Sequence, residues 1–244
     1  MKTAISAYML MFLLFFYACS KKSNNNETPE NCDISRLSQQ GDTALLNTYY
    51  TYNAQGLPVR IKASNYEVTF SYNDGKVFLT ESGITRVYTL GTDSLAQYSV
   101  IRFGADVDST VYLYNTEKYQ VKSIHYYKGI KKDSIGYVIE NGNVKSMTYY
   151  NEYGYVNYFR EFTYHTNLNA INWVYTKLTG DYGYFYYPWL GKPNKNLLKS
   201  SAQYTEIETY NYQFDAGGKI GKFTITSIGT PNVTATINID YDCR

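Results

Sequence analysis

The chain has 244 residues, with 23 lysines and arginines against 21 acidic residues and a formal net charge of +2. So balanced a charge leaves no basic face for nucleic acid. The 30 tyrosines, with frequent Thr, Val and Ile, are strand formers, and the absence of Leu-rich helical runs excludes a helix bundle.

From the N-terminus, Met1-Lys2 precedes an apolar run from Ala4 to Tyr17, then Ala18-Cys19-Ser20-Lys21-Lys22. A short basic start, an apolar core and a small residue before the cut describe an export signal over residues 1–18. A spanning helix needs about 20 apolar residues, more than this run holds. The Ala18-Cys19 junction resembles the lipobox of bacterial lipoproteins, with Phe16 and Tyr17 where aliphatic or small residues are usual. The resemblance implies that Cys19 is diacylated on sulfur and anchors the mature chain in a membrane. Residues 19–31 are rich in Ser, Asn and Lys and hold nothing that packs into a core, which predicts a flexible tether. Ser20 is not the acidic residue that resembles an inner-membrane retention signal, which favours the outer membrane. Lys21-Lys22 lacks the acidic run that resembles a surface-export signal, which favours the periplasmic face over the cell surface.

Residues 32–244 are expected to form a single all-β domain. Cleavage at Cys19 removes Lys2 and no acid, leaving a charge of +1 (22 basic minus 21 acidic). Cys32 and Cys243 bracket this domain, and a lone cysteine pair in an exported protein is usually oxidised. No CxxC or nearby His suggests a metal instead. Along the domain, Tyr66, Val68, Phe70 and Tyr72 alternate with Glu67, Thr69 and Ser71, and Val233 to Tyr241 alternates in the same way. Period-two patterns predict strands with one apolar and one wet face. Turn signals punctuate them: Gln55-Gly56, Asn73-Asp74-Gly75, Ser82-Gly83, Gly91-Thr92-Asp93, Asn141-Gly142, Glu152-Tyr153-Gly154 and Asp215-Ala216-Gly217-Gly218. The reading is roughly fourteen strands in an antiparallel meander of hairpins.

The hairpins repeat. Tyr50-Thr51-Tyr52-Asn53-Ala54-Gln55-Gly56-Leu57 is echoed by Phe70-Ser71-Tyr72-Asn73-Asp74-Gly75, and more weakly at Tyr112–Asn115, Tyr137–Val144 and Tyr212–Ile220. Each unit is aromatic-x-aromatic, a polar turn, then an aliphatic return, and each needs a neighbour to cover its aromatic pair. The unit resembles a degenerate YD-type repeat. The chain is similar to a family of uncharacterised bacterial lipoproteins built from such hairpins, sometimes described as porin-like in fold. The segment Leu190-Gly191-Lys192-Pro193-Asn194-Lys195-Asn196-Leu197-Leu198-Lys199-Ser200 strengthens the match, because a similar Gly-Lys…Lys-Asn-Leu loop recurs late in those chains. The resemblance implies a fold and carries no activity.

A long meander disposes of its edges by curling into a barrel or strongly coiled sheet. A membrane-spanning barrel needs an apolar outward face. The lipid anchor and mid-strand Arg102, Lys122, Arg160 and Lys222 favour a barrel that does not span. Chemistry is sparse: His125 and His165 stand alone, in a strand and a turn, and Asp74, Asp93, Asp106 and Asp215 fall at turns where Asx hydrogen bonding explains them. No hydrolase, metal or phosphate motif is present, and neither enzyme activity nor a cofactor is expected. The segment from Leu178 to Ser200 breaks the hairpin rhythm. Its Tyr184, Tyr186 and Trp189 are candidate ligand-binding residues, stacking on a sugar or gripping an apolar ligand; alternatively, these rings plug the barrel. Two functional expectations stand. One is a non-catalytic, membrane-anchored module binding a glycan or lipophilic ligand; the other is a structural protein docking another envelope component.

Overall fold

The structure is a computed structural model and describes residues 32–40, 45–64, 66–169, 187–228 and 233–243. The expected export signal over residues 1–18, Cys19, the expected tether over residues 19–31, Tyr184 and Tyr186 lie outside the described residues. The first strands are β1 (Cys32–Gln40), β2 (Leu45–Tyr52), β3 (Pro58–Lys62) and β4 (Glu67–Asn73). Next come β5 (Lys76–Glu81), β6 (Ile84–Leu90), β7 (Ala96–Phe103) and β8 (Asp106–Tyr114). They are followed by β9 (Gln120–Tyr127), β10 (Ile130–Glu140), β11 (Asn143–Asn151) and β12 (Val156–Asn169). The last are β13 (Asn196–Gln203), β14 (Glu206–Phe214), β15 (Ile220–Ile228) and β16 (Val233–Cys243). Each pairs antiparallel with the next, and β1 pairs with β16, so the meander closes as a barrel.

Among the described residues the strands number sixteen rather than about fourteen. Some turns carry little sequence signal of the usual kind: the Tyr204-Thr205 turn between β13 and β14 has no glycine, and Tyr204 there and Lys128 before Gly129 between β9 and β10 both take positive φ, 52° each. Side chains other than Gly, Asn or Asp rarely adopt that conformation, so composition alone does not mark these turns.

Four turns share one hydrogen-bond scheme. At Asn53, Asn115, Asn151 and Asp215 the residue's N–H donates to the carbonyl four residues on and its carbonyl accepts from the third. Its side-chain oxygen accepts the N–H groups two and four residues ahead, as Asn53 does from Gln55 and Leu57, each at 3.0 Å. An Asx side chain thus closes each tip locally. The fourth residue lies in the left-handed region, as Gly56, Gly154 and Gly218 do, but in the second turn it is Lys118 at φ 70°. Lys118→Gly is therefore expected to leave stability unchanged or raise it by up to about 1 kcal/mol, whereas Gly154→Ala lowers it by about 1–2 kcal/mol. Urea unfolding midpoints measure both; a clearly destabilised Lys118→Gly would contradict the strain assigned to that position.

Tyrosines answer irregularities near the starts of five strands. A register shift lies at Pro58, Ala96, Val144, Leu198 and Ile220. The carbonyl at each of those positions accepts from Tyr72, Tyr114, Tyr164, Tyr212 and Tyr241 respectively, at 2.6–3.1 Å. A bulge frees a carbonyl from the ladder, and a phenol from the next strand satisfies it.

Burial alternates and identifies the lumen. In β4, Val68 and Phe70 are buried while Glu67, Thr69 and Ser71 are exposed. Two apolar clusters fill much of the interior, one around Tyr210, Phe223, Ile237 and Leu197 and the other around Val68, Phe70, Tyr88 and Trp189. Outside, by the same register, β14 to β16 and β1 present Thr209, Asn211, Thr224, Thr226, Thr234, Thr236, Asn238, Asp240, Arg36 and Ser38. Arg102, Lys122 and Lys222 also face outward, whereas Arg160 turns inward and donates to Gln203 at 2.7 Å.

Candidate functional site

The barrel has a near end, where β1 begins and β16 finishes, and a far end. The connection from β12 to β13 lies at the near end, and its described part straps across the lumen. Tyr187 and Trp189 pack on Phe70, with Trp189 also against Tyr72 and Tyr88 on the β4–β6 wall. The strap then passes β8 and β9, where the Lys192 N–H donates to the Lys118 carbonyl at 2.9 Å. It reaches β11 through Lys195, whose N–H donates to Gly142, and Asn194, which accepts from the Val144 N–H at 2.7 Å. Asn196 and Asn143 close the contact with two mutual hydrogen bonds of 2.8 and 3.0 Å. Gly191 is required here: a Cβ would stand 2.8 Å from the Lys118 carbonyl oxygen. Trp189 is thus packed as a plug, 3% exposed, while its two companion candidates lie outside the described residues.

Beyond the plug, the lumen turns polar. Opposite residues share a face, so one row runs from Tyr72 through Val77, Tyr88, Ser99, Thr110 and His125 to Asp133. The row borders a cavity of about 340 Å³ whose wall includes Arg86, Tyr88, Asp108, Tyr112, His125, Asp133 and Tyr187. Tyr88 and Tyr112 stack at 6.2 Å, and the Tyr112 hydroxyl bonds with Ser99 at 2.9 Å.

His125 bridges the acids on both neighbouring strands, Nδ1 to Asp133 at 2.9 Å and Nε2 to Asp108 at 3.0 Å. Carboxylates only accept, so both ring nitrogens must donate and the cation is the form this geometry holds. Burial pushes the His125 pKa down, but the hydrogen bonds to Asp133 and Asp108 and their charges outweigh it, leaving the value above the ordinary 6.5. A raised folded pKa stabilises the fold fully below the unfolded value and loses that contribution as pH rises through the folded one. The melting temperature should therefore fall from about pH 6.5 upward in the wild type, and His125→Gln should flatten that slope. Melting curves between about pH 5.5 and about pH 9 test it; equal slopes in the two proteins would show that His125 does not titrate in this range.

Across the lumen, Glu208 accepts from Tyr210 at 2.7 Å and Ser201 at 2.9 Å, with Arg160 3.6 Å away. That network lies beside the filled part of the core, and its bonds stabilise it.

Several sequence expectations change. His165 lies in β12 rather than a turn, because that strand runs longer than its broken alternation suggests. Asp106 makes no Asx turn: it opens β8, accepts from Tyr127 at 2.8 Å and pairs with Lys128 at 2.9 Å. Asp108 and Asp133 went unmarked in the sequence, although Asp106, Asp108, Thr110, Tyr112 and Tyr114 alternate on one face, which places acids on the side of the lumenal tyrosines. Among the described residues no group of His, Cys, Asp and Glu is arranged to hold a metal ion. Cys32 and Cys243 are Cα partners in the β1–β16 ladder; no disulfide is present among the described side chains, and these two lie outside them.

No family model matches the chain, and no curated protein matches its sequence. In structure it is similar to a porin-like protein from Bacteroides uniformis ATCC 8492, with 18% identity and a TM-score of 0.69 over 86% of this chain and 98% of that one. A porin-like protein from Bacteroides vulgatus ATCC 8482 matches at 13% identity and a TM-score of 0.60, again over 86% and 98%. At these identities the likeness is one of fold, and the chain has the closed antiparallel barrel of the porin-like proteins.

Proposed function

We propose that this chain is a non-catalytic binding protein of the cell envelope, held at the outer membrane by lipidated Cys19, with a glycan as the ligand of its lumen. The lumenal cavity carries the proposal: carboxylates, a histidine cation, a guanidinium and tyrosine faces converge on one hollow. Sugars need that combination, since hydroxyls both donate and accept while ring C–H faces lie on aromatic rings. A carrier for a wholly apolar ligand needs an empty apolar lumen, and here the apolar parts are occupied by the chain's own side chains. The polar outward face of β14–β16 and β1 supports attachment through the anchor rather than a spanning barrel. Cys32 and Cys243 are joined in this reading, supported by their opposition in the ladder.

The full chain with Cys19→Ala is expected to retain glycans on an array, and Asp108→Asn to abolish that signal while the fold survives. An array without a specific signal removes the proposal. A second reading, docking to another envelope component, is favoured by exposed Ile130, Tyr153, Tyr155 and Tyr204 on neighbouring far-end tips, 61–77% exposed. Pull-down from crosslinked cells with those four residues changed to serine separates the two: a partner lost with the tips, and an empty array, selects docking.

A further inference from the structure

The cavity does not end at the polar row. A second hollow of about 310 Å³ adjoins it at the far rim, lined by Leu79, Glu81, Ser82, Ile84, Arg86, Ile101 and Phe103. Arg86 lies in the wall of both. By register, Leu79, Arg86, Ile101 and Asp108 face one another across β5 to β8, so both hollows belong to the same lumenal surface. The two differ in chemistry. The inner one holds the Asp108–His125–Asp133 bridge. The outer one is walled mainly by the aliphatic and aromatic side chains of Leu79, Ile84, Ile101 and Phe103, with Glu81, Ser82 and Arg86 beside them, and Ile84 and Phe103 are left 44% and 47% exposed at the lip. The apolar lip is continuous with the polar cavity through Arg86, so a ligand whose own polarity changes along its length covers both surfaces.

We infer that the ligand is amphipathic, a glycan head in the inner hollow carrying an alkyl chain that leaves past Arg86 over Ile84, Ile101 and Phe103. This rests on the glycan reading of the cavity and specifies its ligand class as glycolipid-like. The head supplies the discrimination and the chain supplies affinity, because removing methylenes from water is favourable and non-directional. The chain leaves at the lip, so its length beyond the rim is unconstrained.

The test uses the full chain with Cys19→Ala and calorimetric titration with paired methyl and octyl glycosides of glucose, galactose, mannose and N-acetylglucosamine, below their micelle concentrations. For at least one sugar the octyl form is expected to bind at least about tenfold tighter than the methyl form, the gain from burying a few methylenes. The double change Ile84→Ser with Phe103→Ser, both at exposed positions, should reduce the octyl form to the methyl form's affinity. Equal affinities in the wild type, or a gain that survives the rim changes, overturn the inference and leave the glycan reading standing. Octyl binding indifferent to the sugar also overturns it, since the head is then not read. Failure of every glycoside to bind overturns the glycan reading itself.

Discussion

Trp189→Ala is expected to lower the free energy of unfolding by about 3–5 kcal/mol, the range for truncating a large buried aromatic. The ring centroid lies 5.2 Å from Tyr187, 5.7 Å from Tyr88, 5.9 Å from Phe70 and 6.1 Å from Tyr72. Truncation therefore unties the strap from β4 and β6 and empties the centre of one of the two apolar clusters. The wall cannot collapse into the hole, because β4, β5 and β6 are each hydrogen-bonded to a neighbouring strand on both sides. A second substitution separates volume from hydrogen bonding. The Trp189 indole N–H is buried with no partner among the described residues, which costs about 1–3 kcal/mol. Trp189→Phe removes that donor while keeping most of the area, so it should stay within about 1 kcal/mol of the wild type. Urea unfolding followed by far-ultraviolet circular dichroism measures both. An alanine variant that unfolds at the wild-type midpoint would show that the strap merely rests on the wall, and would restore Trp189 as a candidate contact for ligand.

The difference between what the sequence reveals and what it hides follows contact distance along the chain. The Asn53, Asn115 and Asp215 turns are legible because their hydrogen bonds close within five residues, and the aromatic pair before each turn repeats with them. The abundance of tyrosine is legible as strand composition. Its second role is not, since Tyr72, Tyr164 and Tyr212 satisfy carbonyls 14 to 20 residues away that are freed only by a register shift. The polar site is harder still. Asp108, His125 and Asp133 stand 17 and 8 residues apart in sequence and meet only because β8, β9 and β10 pair in one particular register. A one-residue slip would turn all of them outward. The aromatic segment before β13 is visible as a break in rhythm, yet pattern alone does not decide between plug and site. Trp189 is the plug, through contacts with strands more than a hundred residues earlier.

With Cys32 and Cys243 joined as proposed, Cys32→Ser combined with Cys243→Ser is expected to cost about 5 kcal/mol, the chain-entropy figure for so long a loop, with measured values often falling below it. The position of the pair gives the reason. Fifteen of the sixteen ladders join strands adjacent in sequence, and only β1–β16 joins the two ends of the domain. Hairpin ladders close short loops, whereas the seam must close the whole chain, so it carries the largest entropic opposition in the barrel. A bond between Cys32 and Cys243, opposite one another at the near end of that seam, reduces the entropy of the unfolded chain where the ladder is most costly to form. The neighbouring register shift between Ile34 and Arg36 interrupts the same ladder, so the unbridged seam should fray from this end first. Cys19→Ala protein purified without reductant should take up no iodoacetamide until reduced and then two equivalents. Reduction should bring the wild-type melting temperature down to that of the double serine variant. Two thiols that alkylate without reductant would remove the bond, and the seam would then stand on its hydrogen bonds, the Arg36–Asp240 ion pair and the lumenal packing of Ile34, Leu37, Ile237 and Ile239.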